Sequence, residues 1–161
     1  MQLGATDQAL LRAAIVLSAQ ARAAGNQPYG ALLADAEAQV LVEAGNTQVS
    51  ERDCTGHAEI NLMRAASRRF ERTQLAGCTV YASGEPCPMC AGAIYWAGVR
   101  RLVFGLSIET MTALAGPGAD ELSMHCTELF ACGTQPVEVL GPALQDEARR
   151  VFDAPQGSSP P

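Results

Sequence analysis

Apolar and polar positions along this chain switch between helical and strand-like periods, and the switches divide it into alternating elements. Residues 7–24 carry an apolar run from Leu10 to Ala21, interrupted by Arg12 and followed by Arg22. This predicts a first helix that ends at Gly25 and uses Thr6 as its cap. Tyr29–Ala34 and Val40–Ala44 are short apolar runs joined by Asp35-Ala36-Glu37, the pattern of a hairpin. After a polar loop at 45–54 a second helix carries His57 and runs to about Phe70, with Asp53 and Thr55 as candidate caps. Thr79–Ala82 reads as a buried strand leading through Pro86 into a helix that ends near Gly98. Arg101–Phe104 is the next strand, and strand–helix–strand order implies a parallel, right-handed crossover. Residues 120–131 and 142–152 are predicted helices around a last strand, Val137–Leu140. The sum is an α/β protein of three layers, α/β/α, around a central mixed five-stranded sheet. One domain is expected over 1–153, with 154–161 as a flexible tail.

Composition adds limits to this outline. With 161 residues and 48% of them hydrophobic, the chain can bury a full core without disulfides. The six cysteines show no secreted pairing pattern, so a cytoplasmic protein with reduced thiols is expected. Asp7 occupies what would be the basic end of a signal peptide, and no segment is long enough to span a membrane. All 11 basic residues are arginine, which excludes a P-loop and lysine Schiff-base chemistry. Of the 2 histidines, His125 is expected to be solvent-facing or structural, because no serine lies in a G-x-S-x-G setting that would give it a nucleophile.

The chemistry concentrates in His57-Ala58-Glu59 and Pro86-Cys87-Pro88-Met89-Cys90. His57, Cys87 and Cys90 supply three zinc ligands, the usual number in a catalytic site that keeps its fourth position for water. Two thiolates cancel the charge of the ion, so it acidifies water weakly and a neighbouring base must collect the proton. Glu59 is that base. If Pro86 starts the following helix, Cys87 and Cys90 share one side of its first turn, where the positive helix end favours thiolates. A purely structural zinc would leave Glu59 without use and would close its fourth position. Cys54, in a loop without a C-x-x-C partner, is poorly placed to do so. The combined H-x-E and P-C-x-x-C pattern is the general signature of zinc-dependent nucleobase deaminases.

On these motifs the chain resembles the cytidine-deaminase superfamily, in the branch holding guanine deaminases, tRNA adenosine deaminases and yeast-type cytosine deaminases. The likeness also rests on Pro28-Tyr29-Gly30-Ala31, Gly45-Asn46 and the block from Tyr81 to Gly105. Within that block Ala93-Ile94-Tyr95-Trp96-Ala97 is more similar to the guanine enzymes. Two positions depart from the pattern: Cys54 where the branch commonly has proline, and Gly84 where guanine deaminases often have cysteine. The resemblance implies a zinc cofactor, Glu59 as proton shuttle, and base binding by Asn46, the Ala58 N–H and the Glu85 carbonyl. It also suggests a homodimer, and either Asp120 or Glu121 as an acidic contact to guanine. Tyr29 and Trp96 are candidates to sandwich a flat base, with core packing as the alternative reading. Phe152 is a candidate to close over a pocket, its own or a partner's, against ordinary helix packing.

Charge bears on the substrate. A formal net charge of −6 disfavours a nucleic-acid partner, which normally needs a basic footprint. Arg64, Arg68, Arg69 and Arg72 form a local stripe that reads as a solvated or subunit-facing surface. The expected reaction is deamination of a small free purine, with guanine to xanthine first. Alternatives are a tRNA adenosine deaminase and a deaminase of guanosine, cytosine or an amino-triazine. A non-catalytic zinc protein is opposed by the intact H-x-E.

Overall fold

The computed structural model describes residues 3–118, 120 and 122–153. Glu121 and the expected tail at 154–161 lie outside the described residues. The strands β1 (Gly30–Ala34), β2 (Val40–Gly45), β3 (Thr79–Gly84), β4 (Arg101–Leu106) and β5 (Glu138–Leu140) form a sheet in the order β2-β1-β3-β4-β5. β1 runs antiparallel to both β2 and β3, whereas β3, β4 and β5 are mutually parallel, so the sheet is mixed. The hairpin turn is held by Asp35, whose Oδ1 accepts from the N–H groups of Glu37 and Gln39 at 3.1 and 2.8 Å.

Alternation within the central strands sorts their side chains into two cores. Leu33, Val80, Ala82, Leu102 and Phe104 face one way, against α3 (Ala58–Ser67), α5 (Pro88–Ala97) and α7 (Cys126–Ala131). Leu32, Ala34, Tyr81 and Val103 face the other way, against α1 (Ala5–Ala23) and α8 (Gln145–Asp153). Helices on both faces and a sheet buried between them make the expected three layers. Gly30 is required where α1 crosses β1, because a Cβ there would collide with the Ser18 amide and the Ala14 carbonyl. Beneath α1, Asp7 accepts from Arg101 Nη1 and Nη2 at 2.9 and 2.8 Å and from the Tyr81 hydroxyl at 2.6 Å, fastening the helix to β3 and β4.

Several local expectations are corrected. The cap of α1 is Gly4, and Thr6 lies inside the helix. The 45–54 loop contains a short turn of helix, α2 (Gln48–Glu51). α3 stops at Ser67 and a separate α4 (Arg72–Leu75) follows, opened by a reciprocal Glu71–Gln74 capping box. His57 itself is the N-cap of α3, while Asp53 instead folds its carboxylate onto Thr55. α5 begins at Pro88, not Pro86, with Cys87 as N-cap and Gly98 closing the helix at φ 97. The unforeseen α6 (Ile108–Ala115) is started by Ser107, whose Oγ accepts from the Thr110 N–H at 3.3 Å. The helix expected over 120–131 is confined to α7, and 122–125 belong to no helix or strand.

Candidate active site

α3 and α5 begin side by side, and their first turns bring the motif residues together. His57 and Cys87 are the N-caps, Glu59 is the second residue of α3, and Cys90 is the third of α5. Both positive helix ends therefore point at the same spot, which favours thiolate and carboxylate there. His57 Nδ1 lies 3.7 Å from Cys87 Sγ and 3.5 Å from Cys90 Sγ. A tetrahedral zinc at its usual bond lengths would separate nitrogen and sulfur ligands by about 3.6 Å, so the donor set fits the ion as it stands. Among the described residues His57, Cys87 and Cys90 are the grouped donors at this spot, and Cys54 is exposed outside the group.

The electrostatics suit metal binding and proton transfer. The neighbouring Cys90 thiol, with His57, brings Cys87 down to about 4 against the opposing effect of burial. Cys90 is pushed in the other direction by its proximity to Cys87 and by burial, so without metal the pair carries its negative charge on Cys87. Glu59 is only 7% exposed, and its Oε2 accepts from Cys90 Sγ at 3.5 Å. Burial raises the pKa of Glu59 above the ordinary carboxyl range, which makes it able to hold a proton as well as accept one.

A cleft of roughly 590 Å³ opens over these residues. His57, Glu59, Glu85 and Cys87 lie at its base, and Tyr29, Met111 and Phe152 contribute apolar wall. Tyr29 and Phe152 meet edge to face with centroids 5.6 Å apart, so the C-terminal helix reaches the cleft of its own chain. Asp120 also lines the cleft. Gly84 lets Met111 settle there, since a Cβ at that position would run into the Met111 sulfur.

The structure divides the other expected contacts. Ala58 is fully buried at the first residue of α3, and Asn46 is 2% exposed behind Gln48, which lines the cleft in its place. Trp96 is a correction: it is 75% exposed, is not part of the cleft wall and packs edge to face on Tyr95. The inward side of α5 is carried by Ala91 and Ile94, and a residue two positions after Ile94 is turned about 200° around the helix, toward solvent. His125 is half-exposed and structural, bridging Glu85 and Glu109 at 3.2 and 2.9 Å. Arg22, Gln48 and Met111 line the cleft without having been singled out. Gln48, two residues from Asn46, carried the one readable signal, a polar amide beside an expected base-binding residue.

Fold and site together define a hydrolytic metal centre in which a buried carboxylate attends a His-Cys-Cys zinc site. Residues 5–106 match the model of the cytidine and deoxycytidylate deaminase zinc-binding region, and the chain belongs to this family of zinc-dependent deaminases. It is 39% identical over 149 residues to a Schizosaccharomyces pombe protein named "Probable cytosine deaminase", covering 91% of this chain and 90% of the relative. It is also 39% identical over 101 residues to the tRNA-specific adenosine deaminase of Haemophilus influenzae, covering 63% and 58% of the two chains. The solved guanine deaminase of Nitrosomonas europaea superposes with a TM-score of 0.77 at 25% identity, over 95% of this chain and 85% of that one. No helix among the described residues is long and apolar enough to cross a membrane.

Proposed function

We propose that this protein is a cytoplasmic homodimer that deaminates a free purine base, with guanine converted to xanthine and ammonia. The observation that carries the reaction is the placement of Glu59, buried at the base of the cleft and 3.5 Å from a ligand sulfur. Held by His57, Cys87 and Cys90, zinc would supply a Lewis acid that polarises water. Glu59 takes the proton from that water and delivers it to the ring nitrogen beside the carbon under attack. It then takes the remaining proton from the added hydroxyl and passes it to the exocyclic amine, so the carbon–nitrogen bond breaks, ammonia leaves and the ring keeps the oxygen as a carbonyl. Tyr29 and Phe152 hold the flat ring, the Ala58 N–H and the Glu85 carbonyl orient its reacting edge, and Asp120 accepts from the guanine N–H donors.

A two-ring base is supported by the size of the cleft and by the likeness to a guanine deaminase over nearly the whole chain. The acidic balance of −6 speaks against a polyanionic substrate. Cytosine is the second reading, favoured by the end-to-end match to the Schizosaccharomyces pombe protein. Ammonia release from zinc-loaded protein, measured across guanine, cytosine, their nucleosides, adenine and amino-triazines, separates the two. Turnover of cytosine with guanine untouched overturns the purine assignment, and failure on every compound removes the small-molecule reading.

A further inference from the structure

Glu85 carries a second relationship that its position in the cleft does not require. Its side chain is 3% exposed and engages main-chain N–H groups of α6 and α7. Oε2 accepts from the Ile108 N–H at 3.1 Å, and Oε1 accepts from the Cys126 N–H at 3.0 Å and faces His125 Nδ1 at 3.2 Å. Ile108 and Cys126 are the first residues of α6 and α7, whose opening amides have no partner inside their own helices. One buried carboxylate therefore terminates two helices. At the same residue the Glu85 N–H donates to the Leu106 carbonyl at 2.8 Å, so main chain and side chain both tie it to the β4–α6 junction. On the far side, His125 Nε2 reaches Glu109 Oε1 at 2.9 Å and closes the network back onto α6.

The consequence concerns the cleft. α6 contributes Ile108, Met111, Thr112, Leu114 and Ala115 to the wall, while Glu85 is two residues from Cys87 at the base. We propose that the Glu85 carboxylate is a positioning residue that sets the α6 wall against the metal-binding loop and so determines how tightly the cleft holds its substrate. The proposal rests on the reading of the cleft as the base-binding site. A carboxylate is needed because both oxygens face N–H donors: the amide of glutamine would set its NH₂ against either Ile108 or Cys126. Such a mismatch leaves a buried donor unpaired and releases the first turn of one helix.

The test is Glu85→Gln, assayed with whichever base the wild-type protein deaminates. KM is expected to rise about tenfold while kcat stays within about threefold, the signature of lost uniform binding. The cobalt-substituted protein is expected to keep its thiolate charge-transfer bands, showing the ligand set intact. Amide exchange at 108–115 is expected to accelerate at least about tenfold. Unchanged KM with accelerated exchange, or altered cobalt bands, overturns the proposal. If Glu85→Gln does not fold, His125→Ala trims the exposed end of the same network and should raise KM in the same direction by a smaller factor; no change there overturns it. Wild-type exchange is read independently of any substrate. Slow exchange at Ile108 and Cys126 supports the clamp, and exchange as fast as at Ala5, the opening amide of α1, overturns it. A wild-type protein inactive on every base would remove the proposed function and leave this exchange result to decide.

Discussion

The side-chain amide of Asn46 is clasped by Gln48. Asn46 Nδ2 donates to Gln48 Oε1 at 2.7 Å, and Asn46 Oδ1 accepts from the Gln48 main-chain N–H at 3.0 Å. Both polar ends of the buried amide are thereby satisfied inside the protein. Gln48 lines the cleft and Asn46 does not, so in the proposed reading a base meets Gln48 before Asn46. Gln48→Ala removes the acceptor for Asn46 Nδ2 and a polar group from the wall. A change of about 1 kcal/mol, or roughly fivefold in KM, is expected with kcat little affected. Steady-state kinetics on the preferred base check this, and a kcat effect larger than the KM effect would count against it.

Glu59→Gln tests the proton shuttle. Glutamine keeps the shape of the side chain but cannot collect a proton, so kcat should fall by about three orders of magnitude. Because Glu59 lies outside the His57, Cys87 and Cys90 group, the variant should still carry one zinc per chain by elemental analysis. Residual turnover near the wild-type rate would remove Glu59 from the mechanism.

Much of this site was legible because its chemistry depends on short local spacings. Cys87 and Cys90 are one helical turn apart, and His57 and Glu59 open a neighbouring helix, so local sequence nearly fixed their directions. The residues around them come from distant elements. Phe152 meets Tyr29 across 123 positions of chain only because α8 docks on the sheet beside α1. Met111 sits on α6, where Glu109, Met111, Ala113, Leu114 and Ala115 favour a helix and Ser107 caps it, but eight residues between a strand and the Gly116 turn are too few to show a clear helical period. Trp96 shows the opposite error: a large aromatic in a resembling block reads as a base platform, but helix phase turns it to solvent. Pro86 is the helix start expected from sequence, but the helix begins two residues later at Pro88 with Cys87 as its cap, an arrangement that lets both sulfurs face His57.

Metal removal should expose a difference between the two ligand cysteines. In the zinc-free protein the Cys87 sulfur, held down to about 4, is thiolate at pH 6, while Cys90 keeps its proton. Iodoacetamide after chelation should therefore modify Cys87 in preference to Cys90 and the buried Cys126, read by peptide mass mapping. Restoring zinc should protect it. Equal labelling of Cys87 and Cys90 would contradict the asymmetry. Chelation should also lower the thermal midpoint, because the ion binds the folded site and not the unfolded chain.

The last prediction concerns acid stability and lies far from the cleft. Asp7 is held below its ordinary value of 3.8, first by its hydrogen bonds with Arg101 and then by Tyr81, with burial opposing. A carboxylate lowered on folding adds stability above its unfolded value and loses it as pH falls through the folded one. Asp7→Asn keeps the shape but removes the charge, leaving Arg101 with a weaker partner, at a cost of about 2 kcal/mol near neutrality. The gap between the two proteins in urea unfolding should stay constant from pH 7 to about pH 5. It should narrow as pH drops below 3.8 and the wild-type carboxylate takes up its proton. Tyr81, pushed up to about 12 mainly by burial, stays neutral throughout this range and contributes no pH dependence of its own. A gap that widened toward acid would show that Asp7 is not stabilised as the anion, and that α1 is fastened to β3 and β4 by packing alone.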